Sequence, residues 1–247
     1  MSILDSITKG KKTAYAFTFC GDAGTGKTTI ASTFPKPIFI KSEDGTGLLE
    51  VDSFPLLKNV DMLWEQLGAL IKEEHDYKTV IIDSVTGLED MFSQYIIESD
   101  PKKPKSINSA LGGYGAGLNA LANMHGRVRK AAQMLLEKGI NVVFIAHTET
   151  TILELPDQDP YHRYDLKLGK RSMTHYVDNV DLVGFLKLQT YTFGGDEKKK
   201  KATSDGTRVL VTYATASNIS KNRFGIKDDL VIVEGENPLK NIINLGE

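Results

Sequence analysis

The chain has 247 residues, 40% of them hydrophobic and 25% charged, which is ordinary for a soluble globular protein with a sizeable core. Its formal net charge of −2 excludes a global positive field, so any contact with nucleic acid has to come from local basic patches. The single cysteine, Cys20, excludes an internal disulfide and a cysteine-based metal cluster. No apolar run approaches the roughly 20 residues of a membrane span, and no signal-peptide core is visible, which predicts a cytoplasmic protein without a membrane partner.

The first predicted element is an apolar, aromatic-rich strand over residues 14–20, and a glycine-rich loop follows it directly. The loop matches G-x-x-x-x-G-K-[ST], the phosphate-binding loop of NTPases. Its glycines let successive backbone N–H groups surround a phosphate chain, while Lys27 would reach the β- and γ-phosphates and Thr28 would bind Mg²⁺. The residues predicted to hold ATP are Gly21, Asp22, Ala23, Gly24, Thr25, Gly26, Lys27, Thr28 and Thr29.

Strand and helix patterns then alternate up to residue 150, which predicts a mostly parallel sheet with crossover helices. The predicted strands cover 37–41, 79–83 and 141–146. The predicted helices cover 29–34, 62–72, 88–97 and 118–138, with a loop rich in proline, lysine and glycine over 100–117.

The last hundred residues have a different pattern. Residues 148–180 are polar and contain two prolines, which predicts a long functional loop region. Segments 183–192 and 207–215 predict the strands of a C-terminal β-hairpin with a charged tip at 194–206, and 230–233 predicts a last short strand. The whole pattern predicts one α/β domain over 1–247, with a core over 13–227, the hairpin within 183–215 and a tail over 228–247.

Three polar side chains follow predicted parallel strands, at the edge where α/β sheets bind ligands. Asp83 follows an apolar run at the end of the predicted strand 79–83, the position of a second Mg²⁺ anchor beside Thr28. Glu43 can orient and deprotonate an attacking water, and His147 can hydrogen-bond the γ-phosphate or that water. Structural alternatives stay open for each: a helix cap for Asp83, an exposed turn acid for Glu43, and a purely structural role for His147.

The segments 39–43, 80–85 and 142–147 resemble, in this order, the successive motifs of the RecA-like recombination ATPases. Near the C-terminus, Lys221-Asn222-Arg223-Phe224-Gly225 is identical to the KNRFG motif of RadA, a bacterial branch of that family. With its short length, the chain looks most like the phage-encoded Sak-type single-strand annealing ATPases, which are AAA-like phage nucleotide-binding proteins. The resemblance covers about residues 13 to 227.

This resemblance implies a RecA-like P-loop NTPase core and assigns roles to residues that match the family motifs. Glu43 would be the catalytic base, Asp83 the Mg²⁺-linked carboxylate, and His147 the sensor of the γ-phosphate. Lys221 and Arg223 would supply positive charge to the nucleotide of a neighbouring subunit. The implied assembly is a homo-oligomeric ring or filament with nucleotide between subunits.

The resemblance also implies two DNA-facing loops, for which segments 100–117 and 148–175 are the candidates. Basic groups beside tyrosines suit single strands, because backbone charge and base stacking are the contacts needed. The alternative that these loops only shape the nucleotide site or a subunit contact stays open, and we interpret the lysine run at 198–201 as a solvated tip. The basic candidates are Lys102, Lys103, Lys105, Arg163, Lys167, Lys170 and Arg171.

Together these features predict an ATP- and Mg²⁺-dependent ATPase that binds single-stranded DNA and promotes annealing or recombination, in a bacterial host cytoplasm if it is phage-encoded. A second hypothesis is a nucleotide-gated interaction module or loader that hydrolyses ATP slowly and recruits a replication or single-strand-binding protein. A third is a small-molecule P-loop kinase, which needs an arginine-rich lid, whereas the arginines here are few and scattered. Stimulation of ATPase activity by single-stranded DNA separates the first hypothesis from the second.

Overall fold

Within the residues that the computed structural model describes (3–6, 12–45, 47, 49–193 and 201–246), a nine-stranded sheet forms the centre of the fold. Its strands are β1 (Ala16–Gly21), β2 (Pro37–Lys41), β3 (Thr79–Asp83), β4 (Asn141–Leu155), β5 (Gln158–Leu166), β6 (Leu182–Leu188), β9 (Arg208–Val211), β10 (Lys221–Asn222) and β11 (Leu230–Val231). Two further strands, β7 (Tyr191–Phe193) and β8 (Lys201–Thr203), pair with each other in a separate ribbon.

Five α-helices and two short 3-10 helices lie in the described part of the chain. The α-helices are α1 (Lys27–Ser32), α2 (Val60–Lys72), α3 (Val85–Ser99), α4 (Ala116–Glu137) and α5 (Lys170–Val177), and the 3-10 helices are Ile3–Ser6 and Ile107–Gly112. None of these helices is long and apolar enough to cross a membrane.

The sheet order is β11-β9-β6-β1-β4-β3-β2, with β6, β1, β4, β3 and β2 parallel. In this register Gly21 lies beside His147 and Lys41 lies beside Asp83, so the carboxyl ends of these strands meet at one edge. Strand β9 returns antiparallel to β6 and forms the predicted C-terminal hairpin. The topology confirms the predicted fold class, a RecA-like P-loop core with a mostly parallel sheet flanked by helices.

Both faces of β1 are buried, which explains why its sequence is mostly apolar rather than alternating. Ala16 and Cys20 face a cluster formed with α2, α3, α4 and α5. Phe17 and Phe19 face a second cluster formed with α1 and the C-terminal tail. Burial raises the pKa of the Cys20 thiol to about 12, in agreement with the core position of this residue.

The tail beyond β11 is part of the core. Leu239, Ile243 and Leu245 are buried on the face of the sheet that α1 covers. The side chain of Asn141, at the start of β4, joins this tail to the sheet. Its Nδ2 donates to the Leu245 carbonyl (2.6 Å), and its Oδ1 accepts from the Tyr15 amide (2.9 Å).

The prediction of a long loop over 148–180 is wrong. Strand β4 continues past the core to Leu155 and forms an antiparallel hairpin with β5, and α5 follows. The hairpin is mostly exposed on both faces, so its sequence carries no hydrophobic alternation to reveal the strands. Pro160 is tolerated within β5 because the pairing is irregular between Leu153 and Leu155, close to the turn.

A buried polar chain joins the helices on one face of the sheet. His125 of α4 is fully buried, with Nε2 2.7 Å from Glu89 Oε2 on α3 and Nδ1 2.6 Å from the Tyr176 hydroxyl on α5. The Tyr176 carbonyl in turn accepts the hydroxyl of Thr18 on β1 (2.6 Å). The close approach of His125 to Glu89 and its hydrogen bond to Tyr176 link three helices through one buried polar chain.

We expect Tyr176→Phe to lower the free energy of unfolding by about 1–3 kcal/mol, because it leaves a buried imidazole nitrogen without its partner. Urea denaturation followed by circular dichroism measures the change. The control is Tyr95→Phe on α3, which removes the hydroxyl of an exposed tyrosine and should change stability by less than about 0.5 kcal/mol. Equal stability of the two variants would contradict the polar chain described above.

Candidate active site

The glycine-rich loop runs from the end of β1 to the start of α1 and encloses a concave backbone surface. Gly24 (φ 76°) and Gly26 (φ 92°) both have left-handed backbone conformations that other residues rarely adopt. Gly26 is also the N-cap residue of α1, which begins at Lys27. The two glycines therefore turn the backbone within the loop, as the sequence motif predicts.

The Lys27 side chain lies on the floor of this loop and is 6% exposed. Its ammonium donates to the carbonyls of Gly21 (2.9 Å) and Asp22 (2.8 Å). Burial lowers the pKa of Lys27, and the nearby Asp83 carboxylate opposes that shift. The loop therefore holds a cation at the point where a phosphate chain would enter.

Thr28 and Asp83 form the oxygen pair predicted to hold the metal. The Thr28 hydroxyl donates to Asp83 Oδ2 at 2.8 Å. Burial raises the pKa of Asp83, and the hydrogen bond from Thr28 opposes that shift. A divalent cation would favour the charged carboxylate, and a hydroxyl with a carboxylate at this spacing suits Mg²⁺, which binds few protein oxygens and keeps several waters.

The alternative that Asp83 caps the following helix is wrong. The side chain that caps α3 is that of Ser84, whose hydroxyl accepts the Gly87 amide at 3.1 Å. The Asp83 carboxylate is left to face Thr28 and the loop.

Glu43 and His147 form a second pair across the same edge. The Nε2 of His147 lies 3.0 Å from Glu43 Oε1. This hydrogen bond lowers the pKa of Glu43, although partial burial acts in the opposite direction. The His147 imidazole therefore fixes the orientation of the Glu43 carboxylate, which is not a freely rotating acid in an exposed turn.

These groups surround one cavity of about 360 Å³ at the carboxyl edge of the sheet. The size is in the range of small-molecule sites. The structure brings most of the predicted phosphate, metal and catalytic residues together here. The lining residues are Ala23, Gly24, Gly26, Lys27, Thr28, Thr29, Glu43, Asp44, Gly45, Leu49, Asp83, His147 and Arg208.

Arg208 also lines this cavity, although no motif in the sequence predicts a role for it. It is the first residue of β9, and its Nη1 lies 3.3 Å from the position that a Cβ on Gly26 would occupy. The sequence signal for it was indirect: the return strand of an antiparallel hairpin begins at the edge where the outgoing strand ends. An arginine at that first position therefore comes back to the phosphate loop.

Two predicted catalytic residues lie outside the cavity. Lys221 pairs with Val183 at the beginning of β6, whereas the phosphate loop neighbours the far end of that strand. The Lys221 ammonium donates to the carbonyls of Val177 and Asp178, and Arg223 Nη1 lies 3.3 Å from Asp181 Oδ1. A contribution of either residue to a nucleotide would therefore require a neighbouring subunit, and that role stays a prediction.

The basic DNA candidates fall into two groups. Arg163 pairs with Asp165 at 2.8 Å, and Arg171 donates to the Gly115 carbonyl and the Asn119 side chain, so both arginines are engaged within the chain. The others are exposed and have no side-chain hydrogen bond or ion pair among the described residues; they are Lys102, Lys103, Lys105, Lys167 and Lys170. Most of the lysine run at 198–201 lies outside the described residues.

We expect His147→Ala to raise the pKa of the Glu43 carboxyl toward the ordinary glutamate value. The hydrogen bond from His147 lowers this pKa, so its loss should let protonation occur at higher pH. A carboxyl-carbon NMR titration measures the shift, with His162→Ala, an exposed histidine of β5, as the control. An unchanged Glu43 titration in the His147 variant would contradict the pair as described.

Comparison with known proteins provides the family. A family model described as an AAA domain matches residues 13–224. Among solved structures, the chain is similar to a KaiC-like protein of the hyperthermophilic archaeon Pyrococcus horikoshii OT3, with 14% identity, 88% of this chain and 84% of that chain covered, and a TM-score of 0.42. No curated protein matches the chain. Because the matched segment covers most of the chain, this chain belongs to the AAA domain family and is a P-loop ATPase.

Proposed function

We propose that this chain hydrolyses ATP with Mg²⁺ and couples the reaction to binding single-stranded DNA, in the manner of a recombination ATPase that promotes annealing. The observation that carries the hydrolytic part is the convergence of Lys27, the Thr28–Asp83 pair and the Glu43–His147 pair on one cavity. A phosphate cradle, a metal anchor and a water-activating base are the parts that phosphoryl transfer to water requires.

In this mechanism the loop amides and Lys27 bind the β- and γ-phosphates. Thr28 and Asp83 would hold Mg²⁺, which supplies positive charge to the phosphate oxygens when bound. Glu43 orients a water and accepts its proton as the water oxygen bonds to the γ-phosphorus and the bond to the bridging oxygen breaks, with ADP leaving. His147 holds the Glu43 carboxylate toward the cavity through the 3.0 Å contact.

A groove beside the phosphate cavity is the site that we propose for the nucleoside. A groove of about 680 Å³ adjoins the phosphate cavity and shares Gly26, Thr29, Leu49 and Arg208 with it. Its outer wall is the segment 231–236, which presents exposed apolar side chains and backbone to the groove. A flat aromatic base and a ribose suit such a wall, so we place the nucleoside there.

The DNA part of the proposal is supported by the exposed lysines that have no side-chain partner among the described residues. It is also supported by the strand that joins the site to an exposed hairpin. Strand β4 carries His147 and continues directly into the β4–β5 hairpin. At the base of that hairpin, the Thr148 hydroxyl donates to Asp22 of the phosphate loop at 2.7 Å. Lys167 and Lys170 come directly after β5, the returning strand of this hairpin. The hairpin therefore connects these basic groups to the nucleotide loop.

A nucleotide-gated interaction module remains the second candidate, because the exposed β4–β5 hairpin would serve equally well to contact a replication or single-strand-binding protein. The proposed assembly is a homo-oligomer in which Lys221 and Arg223 reach the nucleotide of the neighbouring subunit. Their position away from the cavity of their own chain is consistent with that arrangement.

We expect Glu43→Gln to lower kcat for ATP hydrolysis by about 10²- to 10⁴-fold, the usual contribution of a general base, while ATP affinity changes little. Phosphate release and equilibrium nucleotide binding measure the two quantities separately. The control is Glu149→Gln, which alters an exposed acid of β4 close to His147. Loss of ATP binding, or unchanged turnover, would show that Glu43 is not the base.

We expect single-stranded DNA to stimulate the ATPase and to bind with an affinity that falls steeply with salt. Replacing Lys102, Lys103 and Lys105 by alanine should weaken binding and reduce the magnitude of the salt slope by about 2, since each contact with a single strand contributes about 0.7. Fluorescence anisotropy over a range of salt concentrations provides both values, beside an annealing assay.

The matched control replaces three other exposed lysines: Lys58 just before α2, Lys72 at its end and Lys78 just before β3. It should leave the slope unchanged. A flat salt response and an ATPase indifferent to DNA would favour the interaction module instead.

A further inference from the structure

Arg208 is held over the phosphate loop by the geometry of the sheet. Gly21 of β1 neighbours Leu186 of β6, and Leu188, two residues further along β6, pairs with Arg208 of β9. Arg208 therefore stands just beyond the edge at which the loop begins. Its carbonyl also accepts the Ile232 amide at 2.9 Å, so its backbone is fixed from both sides.

The direction of its side chain follows from the alternation along β9. Leu210 is buried in the cluster that contains α1, whereas Val209 and Val211 belong to the cluster on the opposite face. Arg208 has the same parity as Leu210 and so points to the face of α1. There its guanidinium approaches Gly26, with Nη1 3.3 Å from the position of a Cβ at that glycine.

The guanidinium of Arg208 pairs with no acidic side chain in the described part of the chain. Among the described residues, Arg208 forms no side-chain hydrogen bond or ion pair, although it is exposed beside two cavities. Other arginines of the chain, such as Arg163, Arg171 and Arg223, each have a protein acceptor. A planar fork of donors that lies beside a phosphate loop, and that pairs with no carboxylate of the described residues, matches the geometry of phosphate oxygens.

Resting on the proposed ATP site, we propose that Arg208 binds the nucleotide of its own chain, through the phosphates nearest the nucleoside. Arg208 lines both the phosphate cavity and the groove that would take the nucleoside. From this position it would contact the phosphates nearest the nucleoside rather than the γ-phosphate. ATP and ADP have those phosphates in common. Arg208 is then a binding residue acting in cis, distinct in role and place from Lys221 and Arg223.

The test measures the affinities of ATP and ADP, each with Mg²⁺, for Arg208→Ala and Arg208→Lys by isothermal titration calorimetry. Both affinities should fall by about tenfold or more in the alanine variant, as expected for losing a charge-assisted hydrogen bond. The lysine variant should recover part of the loss, since it keeps the charge and lacks the fork. The KM for ATP should rise by the same factor, whereas kcat should fall by less.

The control is Lys187→Ala, a basic residue of the same hairpin whose ammonium lies 3.9 Å from Asp229 rather than near the loop. Its nucleotide affinities should match those of the unsubstituted chain. Thermal melts of all variants identify a folding defect, and a fall in both affinities without a lower Tm supports the assignment. Unchanged affinities in the Arg208 variants, a loss confined to ATP, or a fall in kcat alone would overturn it.

A mixing experiment tests the cis assignment. Combining Arg208→Ala with Lys27→Ala protomers at ATP concentrations below KM should give no more hydrolysis than the sum of the two variants alone. Rescue in the mixture would show that Arg208 acts on a neighbour and overturn the assignment. Failure of the unsubstituted chain to bind ATP would refute the proposed function itself, whereas ATP binding that is indifferent to Arg208 refutes only this inference.

Discussion

The parallel register of β1, β4 and β3 brings the phosphate loop, His147 and Asp83 to one edge of the sheet. Hydrogen bonding between these strands places Gly21 beside His147 and Asp83 beside Ile145, so residues far apart in sequence come to one edge. Because both faces of these strands are covered by helices or by the tail, a slip in register would move polar groups into the core. The same strand register therefore determines both the apolar packing of the core and the positions of the polar groups at the edge of the sheet.

The sequence predicted the parts that depend on local pattern or on motif spacing. Strands β2 and β3 have the predicted bounds, because short runs of β-branched and aromatic residues with clear flanking residues favour strands. The loop around Lys27 and the acid at Asp83 were equally accessible, since their residue types and spacing are required by the chemistry. The sequence does not indicate the contact between Glu43 and His147, because that contact depends on how two strand ends converge.

The features that the sequence does not predict involve side chains outside the regular apolar pattern. The β4–β5 hairpin was mistaken for a loop because exposed strands do not need alternation. The position of Arg208 depends on hairpin length and strand direction, neither of which leaves a mark on the residue itself. The core role of Leu239, Ile243 and Leu245 was missed because isolated apolar residues in a polar tail have no recognisable period.

The packing of that tail also affects how the protein is made. Synthesis proceeds from the N-terminus, and the phosphate loop leaves the ribosome long before residues 239–245. The core beneath α1 lacks Leu239, Ile243 and Leu245 until then, and Asn141 lacks the Leu245 carbonyl that it contacts. The nucleotide site thus gains its full packing only after residues 239–245 have been synthesised, and until then the phosphate loop of the nascent chain lies over an incomplete core.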